Sequence, residues 1–144
     1  MQTTVGIIKP EAIKKGLVEI ITKRIEDSDL VIKSSLKKII TSYEFGIIYG
    51  HVKEPEWLHN ARKKYLTANE SIFLKISGEN AVVKLLNIRG SSNPRYAFPG
   101  TIRGDFAKDQ NYIELRKQRK IALNFFHACD TEKEAYALIH CLKL

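Results

Sequence analysis

Apolar positions are spaced in two ways along this chain, and the spacing predicts its elements. Residues 3–8 (TTVGII) read as a short buried strand stopped by Lys9-Pro10, because a residue before proline is driven into extended backbone. Over 16–25, Leu17, Ile21 and Ile25 recur every four residues and mark the core-facing stripe of an amphipathic helix. Residues 30–40 are rich in β-branched and long apolar side chains and predict a second strand interrupted by lysines. Helices follow over 41–50 and 55–65, the second with a proline at its start. A third strand is expected over 70–77 (ESIFLKIS). A short helix follows over 80–88, where Ala81, Val82, Leu85 and Leu86 are apolar.

Punctuation then takes over. Residues 90–104 carry two prolines and three glycines among several Ser and Asn, the composition of a loop. Residues 111–120 are highly charged with only a weak helical pattern, 121–126 predict a fourth strand, and 131–142 close the chain as a helix. Ala135, Leu138, Ile139 and Leu142 form one face of that last helix. There is no repeat, low-complexity tract or linker. The order β-α-β-(α)-β-α-β-α fits an α+β sandwich, a small antiparallel sheet with helices on one face. A length of 144 residues suits one compact domain.

Composition narrows the class. At 44% hydrophobic residues the chain can build a core, which excludes a disordered protein. No apolar run approaches the roughly 20 residues a bilayer span requires, and Met1 to Thr4 lead straight into a strand without a signal peptide. Cys129 and Cys141 are too few for a disulfide framework and lack metal-ligand spacing, so a reducing, cytoplasmic setting is expected. Lys and Arg number 24 against 16 Asp and Glu, a formal net charge of +8. That excess points to anionic partners without choosing among nucleotides, nucleic acid and acidic surfaces.

Four places carry candidate chemistry. Lys9 stands at the end of a buried strand, where a side chain is readily presented to a cleft, although a surface lysine at a turn is the commoner case. The stretch from Gly90 to Asp105 combines glycines, small hydroxyls and Arg103, residues whose amides and guanidinium can hold phosphate oxygens. It is not a Walker loop, since it lacks G-x-x-x-x-G-K-[ST]. His127 follows Asn124-Phe125-Phe126 and precedes Ala128-Cys129-Asp130 and a helix start, where amides favour negative charge. Imidazole is a competent nucleophile near neutral pH, yet a lone histidine after a strand is more often a satisfied core residue. Tyr49 and Trp57, the only tryptophan, lie eight residues apart and offer a stacking face or a piece of core. His51, His59 and His140 have weaker contexts and form no metal-like cluster.

Taken in order, these pieces resemble the nucleoside diphosphate kinases over nearly the whole chain. The resemblance starts at IIKPEAI, continues through KKGLVEIITKRIE and is most specific at NPRYAFPGTIRGDF and NFFHACD. It implies a ferredoxin-like α+β fold, a four-stranded antiparallel sheet covered by helices, with residues 1–144 forming a single kinase-like domain. It further implies binding of nucleoside di- and triphosphates with Mg²⁺, held mainly by the nucleotide's own phosphates with no direct protein ligand. Transfer of the γ-phosphoryl would be ping-pong, through a phosphohistidine at His127. By position, Lys9 would contact the γ-phosphate, Tyr49 would lie near His127, and Trp57 would stack on the base. Ser92 and Arg103 would bind phosphates, and Asn124 the sugar. A homo-oligomer without membrane association is implied as well.

The chain departs from the family pattern in ways that bear on activity. An arginine is usual four residues before the glycine of the phosphate loop, where Leu86 stands, and Arg89 is the expected substitute. A glutamate is usual eleven residues after the histidine, where Leu138 stands. Glu134, one turn earlier, or a backbone carbonyl would then orient the ring. Cys129 replaces a serine and donates hydrogen bonds more weakly, and Asp130 completes the supporting set. Residues 108–120 form a basic addition found in some relatives. These replacements leave a second reading, a kinase-like nucleotide-binding domain that turns over slowly or not at all. A third, a nucleic-acid-binding module, is permitted by the charge but lacks interleaved aromatic and basic strands.

Overall fold

A computed structural model describes residues 1–144. The elements run β1 (Gln2–Ile8), α1 (Pro10–Lys14), α2 (Val18–Glu26), β2 (Val31–Lys38), α3 (Ser42–Tyr49) and α4 (Glu56–Leu66). They continue with β3 (Ser71–Gly78), α5 (Ala81–Arg89), α6 (Ile102–Phe106), α7 (Tyr112–Lys117), β4 (Phe126–Ala128) and α8 (Glu132–Leu142). The four strands form one sheet in the order β2-β3-β1-β4. Every neighbouring pair is antiparallel, and β1 sits inside, paired with β3 from Gln2 to Ile8 and with β4 from Gly6 to Ile8.

Helices cover both faces of this sheet, not one. On one side Ile8, Leu74, Ile76 and Phe126 pack against Ile21 and Ile25 of α2 and against Ala81 and Leu85 of α5. On the other, Val5, Ile7 and Phe73 meet Phe45 and Ile48 of α3 and Ala135, Leu138 and Leu142 of α8. The reason lies in β1, where every residue from Thr4 to Ile8 is buried. A strand without polar alternation has apolar side chains on both faces, and each face needs a cover. β2 is the contrast: its residues alternate between exposed and half-buried, as an edge strand's do.

Two further boundaries differ from the sequence reading. The fourth strand begins at Phe126 and not at Ile121, so His127 lies in the middle of β4 opposite Ile7. Phe125 has φ +72°, a left-handed conformation that breaks any strand running through it. Residues 102–106, expected in the loop, form α6, started by Thr101, whose hydroxyl accepts from Gly104 N at 3.0 Å. The loop ahead of it turns at Gly90, with φ +95°. A Cβ there would lie 2.6 Å from Thr101 Oγ1, so glycine is required on both counts. Cys129 and Cys141 are both free, and no helix is long and apolar enough to cross a membrane.

Candidate active site

The end of β1, the middle of β4 and the start of α6 bring three residues of the sequence reading together. Lys9, the first residue past β1, is 3% exposed and is no surface lysine. Its Nζ donates to Asn124 Oδ1 at 2.8 Å and lies 3.9 Å from Glu11 Oε1. Burial lowers its pKa to about 8, against the opposing pull of Glu11. Asn124, also buried, donates in turn to the Tyr112 hydroxyl at 2.6 Å. The pair Lys9–Asn124 is thus bridged to α7, at the front of the basic addition.

Arg103 comes from the first turn of α6 and is 4% exposed. One terminal nitrogen donates to the carbonyls of Ser91 and Ser92 at 3.2 and 3.1 Å, and the other to Phe126 O at 2.8 Å. The guanidinium therefore ties the Gly90 loop to the strand carrying His127. Its buried Nε–H has no partner, a donor left over for a ligand. Burial lowers its pKa to about 10, so it stays charged at neutral pH.

Around these residues stands the His127 ring, half-buried, with the Tyr49 ring 5.3 Å from it between centroids. Its pKa lies well below the ordinary 6.5. Burial is the main cause, followed by the positive charges of Arg103, Lys9, Arg89 and Arg62. The imidazole is therefore neutral at physiological pH and lies in the field of these four positive charges. Such a ring is a ready nucleophile in a setting that stabilises an incoming anion. Arg89, at the end of α5, is one of these charges and donates its Nε–H to Gly90 O at 3.0 Å.

Arg62 is the residue that sequence reasoning missed. Its guanidinium lies 5.0 Å from the centre of the Tyr49 ring and is held by Glu54, with contacts of 3.3 and 2.8 Å. The Glu54 side chain is 1% exposed and also meets His59 Nδ1 at 3.2 Å. The only signal was spacing: Glu54 and Arg62 are eight residues apart, across the start of α4. Eight residues is too far for a pairing within one helix.

Glu134 does not orient His127. It occupies the third position of α8, where its Oε2 accepts from Asp130 N at 3.0 Å, and its Oε1 lies 3.3 Å from His51 Nε2. A glutamate there is captured by the unpaired amides of the helix start. His51, expected outside any cluster, instead meets Asp130 and Glu134, with one ligand atom of each within 4.8 Å of the others. Cys129 contributes no polar group: it is 2% exposed in the apolar layer with Val5 and Leu138, and burial raises its pKa to about 12. Ser92 is exposed at the loop, and its carbonyl already serves Arg103. Trp57 is half-buried on α4, with the Arg119 guanidinium 5.6 Å above its ring.

Known proteins agree with this architecture. A family model described as nucleoside diphosphate kinase matches residues 2–142. A nucleoside diphosphate kinase of Campylobacter hominis is 33% identical over 135 residues, spanning 94% of this chain and 90% of that protein. A second, of Campylobacter fetus, is 34% identical over 133 residues, spanning 89% and 96%. Among solved structures, a transition-state mimic of the nucleoside-diphosphate kinase of Borrelia burgdorferi with bound vanadate and ADP superposes with a TM-score of 0.88. It covers 96% of this chain and 84% of that one at 23% identity, a likeness of fold.

Proposed function

The chain belongs to the nucleoside diphosphate kinase family, and from that premise we propose that His127 carries the phosphoryl group between nucleotides. The carrying observation is the neutral His127 ring in the field of the positive charges of Lys9, Arg62, Arg89 and Arg103. In the first half-reaction an unprotonated ring nitrogen attacks the γ-phosphorus. The N–P bond forms, the bond to the β-phosphate oxygen breaks, and the nucleoside diphosphate leaves with that oxygen. A second diphosphate then attacks the phosphohistidine and regenerates the ring. Little covalent work falls to the protein; positioning and charge neutralisation do most of it. Arg103 offers its free Nε–H to a phosphate oxygen, Arg62 and Arg89 supply charge, and Lys9 with Asn124 meets the γ-phosphate or the sugar. Ser92 lies on the phosphate loop, and Trp57 is the platform for the base.

A divalent cation, Mg²⁺ in this reading, fits as cargo of the nucleotide. Glu54 is held on both oxygens by Arg62 and His59, while Glu11 gives one oxygen to Tyr65 and keeps the other 3.9 Å from Lys9 Nζ; in this reading the nucleotide's phosphates are the main ligands of the ion. When bound, it neutralises and orients phosphate oxygens. The sheet is built from strands at both ends of the chain, which supports residues 1–144 as one domain. Exposed Phe98 and Tyr96, with Val31 on the edge strand, support a homo-oligomer. The free cysteines suit a cytoplasmic setting.

The test is direct. Incubation with γ-labelled ATP and Mg²⁺ should give an acid-labile, alkali-stable label that His127→Ala lacks. Bound ATP without any label on the wild type would reject the carrier role and leave a nucleotide-binding domain.

A further inference from the structure

Arg119 reaches the Trp57 ring from a backbone conformation that few residues adopt. Helix α7 ends in a reversed turn: Arg119 N donates to Arg116 O at 3.1 Å and Lys120 N to Leu115 O at 2.9 Å. That pattern places Arg119 at the left-handed position, φ +52°, where glycine or asparagine is the economical choice. An arginine there is strained, and its guanidinium lies 5.6 Å over the Trp57 ring. The segment is anchored to the reaction centre as well, through Tyr112 on Asn124 and Asn93 Oδ1 on Tyr112 N. Between α4 and α7, the cleft lined by Leu58, Arg62, Leu115 and Lys120 has only about 20 Å³ of space, room for about one water.

A planar base between the two groups would need about 3.5 Å on each side, or about 7 Å in all. The guanidinium carbon is 5.6 Å from the centre of the Trp57 ring, so it must withdraw by at least about 1.4 Å to admit a base, well within the reach of an exposed arginine. We propose that Arg119 is a specificity-determining residue of the base site, closing over the nucleobase opposite Trp57 and favouring purine over pyrimidine nucleotides. The proposal rests on Trp57 as the base platform. A guanidinium stacks on π-faces through its plane and its charge, and a purine presents the larger face to both partners.

Trp57 is the only tryptophan, so its emission reports base binding without a label. The protein is titrated with ADP, GDP, CDP, UDP and pyrophosphate in Mg²⁺, and binding is measured in parallel by calorimetry. The purines should perturb Trp57 and bind more tightly than the pyrimidines. In Arg119→Ala the purine-to-pyrimidine affinity ratio should fall by about three- to tenfold. Arg119→Lys, which keeps the charge without the plane, should fall between the two. Pyrophosphate affinity should change far less than ADP affinity. Equal weakening of all five ligands overturns the proposal, since it reports charge alone; equal tightening overturns it too, since Arg119 is then only a competing cover. A perturbed Trp57 with an unchanged ratio in Arg119→Ala removes Arg119's part alone. Calorimetric binding with an undisturbed Trp57 removes the base platform itself, and the proposal with it.

Discussion

At the residue scale the site is a histidine kept neutral by burial and a lysine that burial leaves charged at pH 7 but with its pKa brought down to about 8. Lowering the His127 pKa well below 6.5 means that acid must fall further than usual before the nucleophile is lost. An ordinary imidazole is roughly three-quarters protonated at pH 6. Labelling of His127 by ATP should therefore persist at pH 6 with little loss, and a half-maximal point at or above pH 6.5 would contradict the depressed value. The sign for folding is the same. The folded ring binds a proton less readily than the unfolded one, so its contribution to stability is complete above pH 6.5 and is lost as pH falls below it. Lys9 acts at the other limb. With a pKa near 8 in the free protein, it sheds its charge above that point, and nucleotide affinity should drop between pH 7 and pH 9. Calorimetry in buffers of matched ionic strength reads this. The two arginines are tested by removal: Arg62→Ala should lower kcat/KM by about ten- to a hundredfold, as loss of a charge-assisted contact does. Arg89→Ala should weaken nucleotide binding, and unchanged affinity would show that Arg89 does not stand in for the residue missing at Leu86.

At the scale of elements, the loop between α5 and α6 is the part whose shape the cations depend on. Gly90→Ala would force a side chain into left-handed backbone and against Thr101, costing about 1–3 kcal/mol. For a chain of this length the melting temperature should fall by about 3–10 °C, readable by circular dichroism. Activity should fall further than stability explains, because Arg103 takes its geometry from the carbonyls of that loop. Elements with a clean period were legible from sequence: β1, α2, β3 and α8 lie within a residue or two of where spacing put them. β4 was not, because Phe125 continues the apolar pattern of residues 121–126 while its backbone, at φ +72°, leaves the extended region, and a hydrophobic count carries no φ. Arg62 was illegible for a different reason. Its value comes from Glu54 and Tyr49, which folding brings to it, whereas His127, Lys9 and Arg103 carried their own motif. Glu134 shows a signal misread: Thr131-Glu132-Lys133-Glu134 is a helix-start pattern, and a glutamate spent there cannot also hold the histidine.

At the scale of the whole molecule, the charge of +8 matters less than its arrangement. Many surface lysines are paired or solvated, such as Lys23 with Asp27. Lys9, Arg62, Arg89 and Arg103, by contrast, converge on one histidine from β1, α4, α5 and α6. Like charges gathered in a half-buried site repel one another, and the folded state bears that cost while it is empty. An anion with several oxygens relieves it, so binding should stabilise the fold strongly. At a concentration about a hundredfold above Kd, a ligand contributes about 2.7 kcal/mol, which for this size raises the melting temperature by about 5–11 °C. A nucleoside diphosphate with Mg²⁺ should give a shift of that order. A single-stranded oligonucleotide has no terminal diphosphate to reach the buried arginines and would meet only exposed lysines. Its shift should be small and should vanish between 50 and 200 mM salt, whereas the nucleotide's should persist, because ions screen exposed charges far more than buried ones. An oligonucleotide shift as large as the nucleotide's, and as resistant to salt, would mean that the exposed basic surface binds and not the cluster at His127.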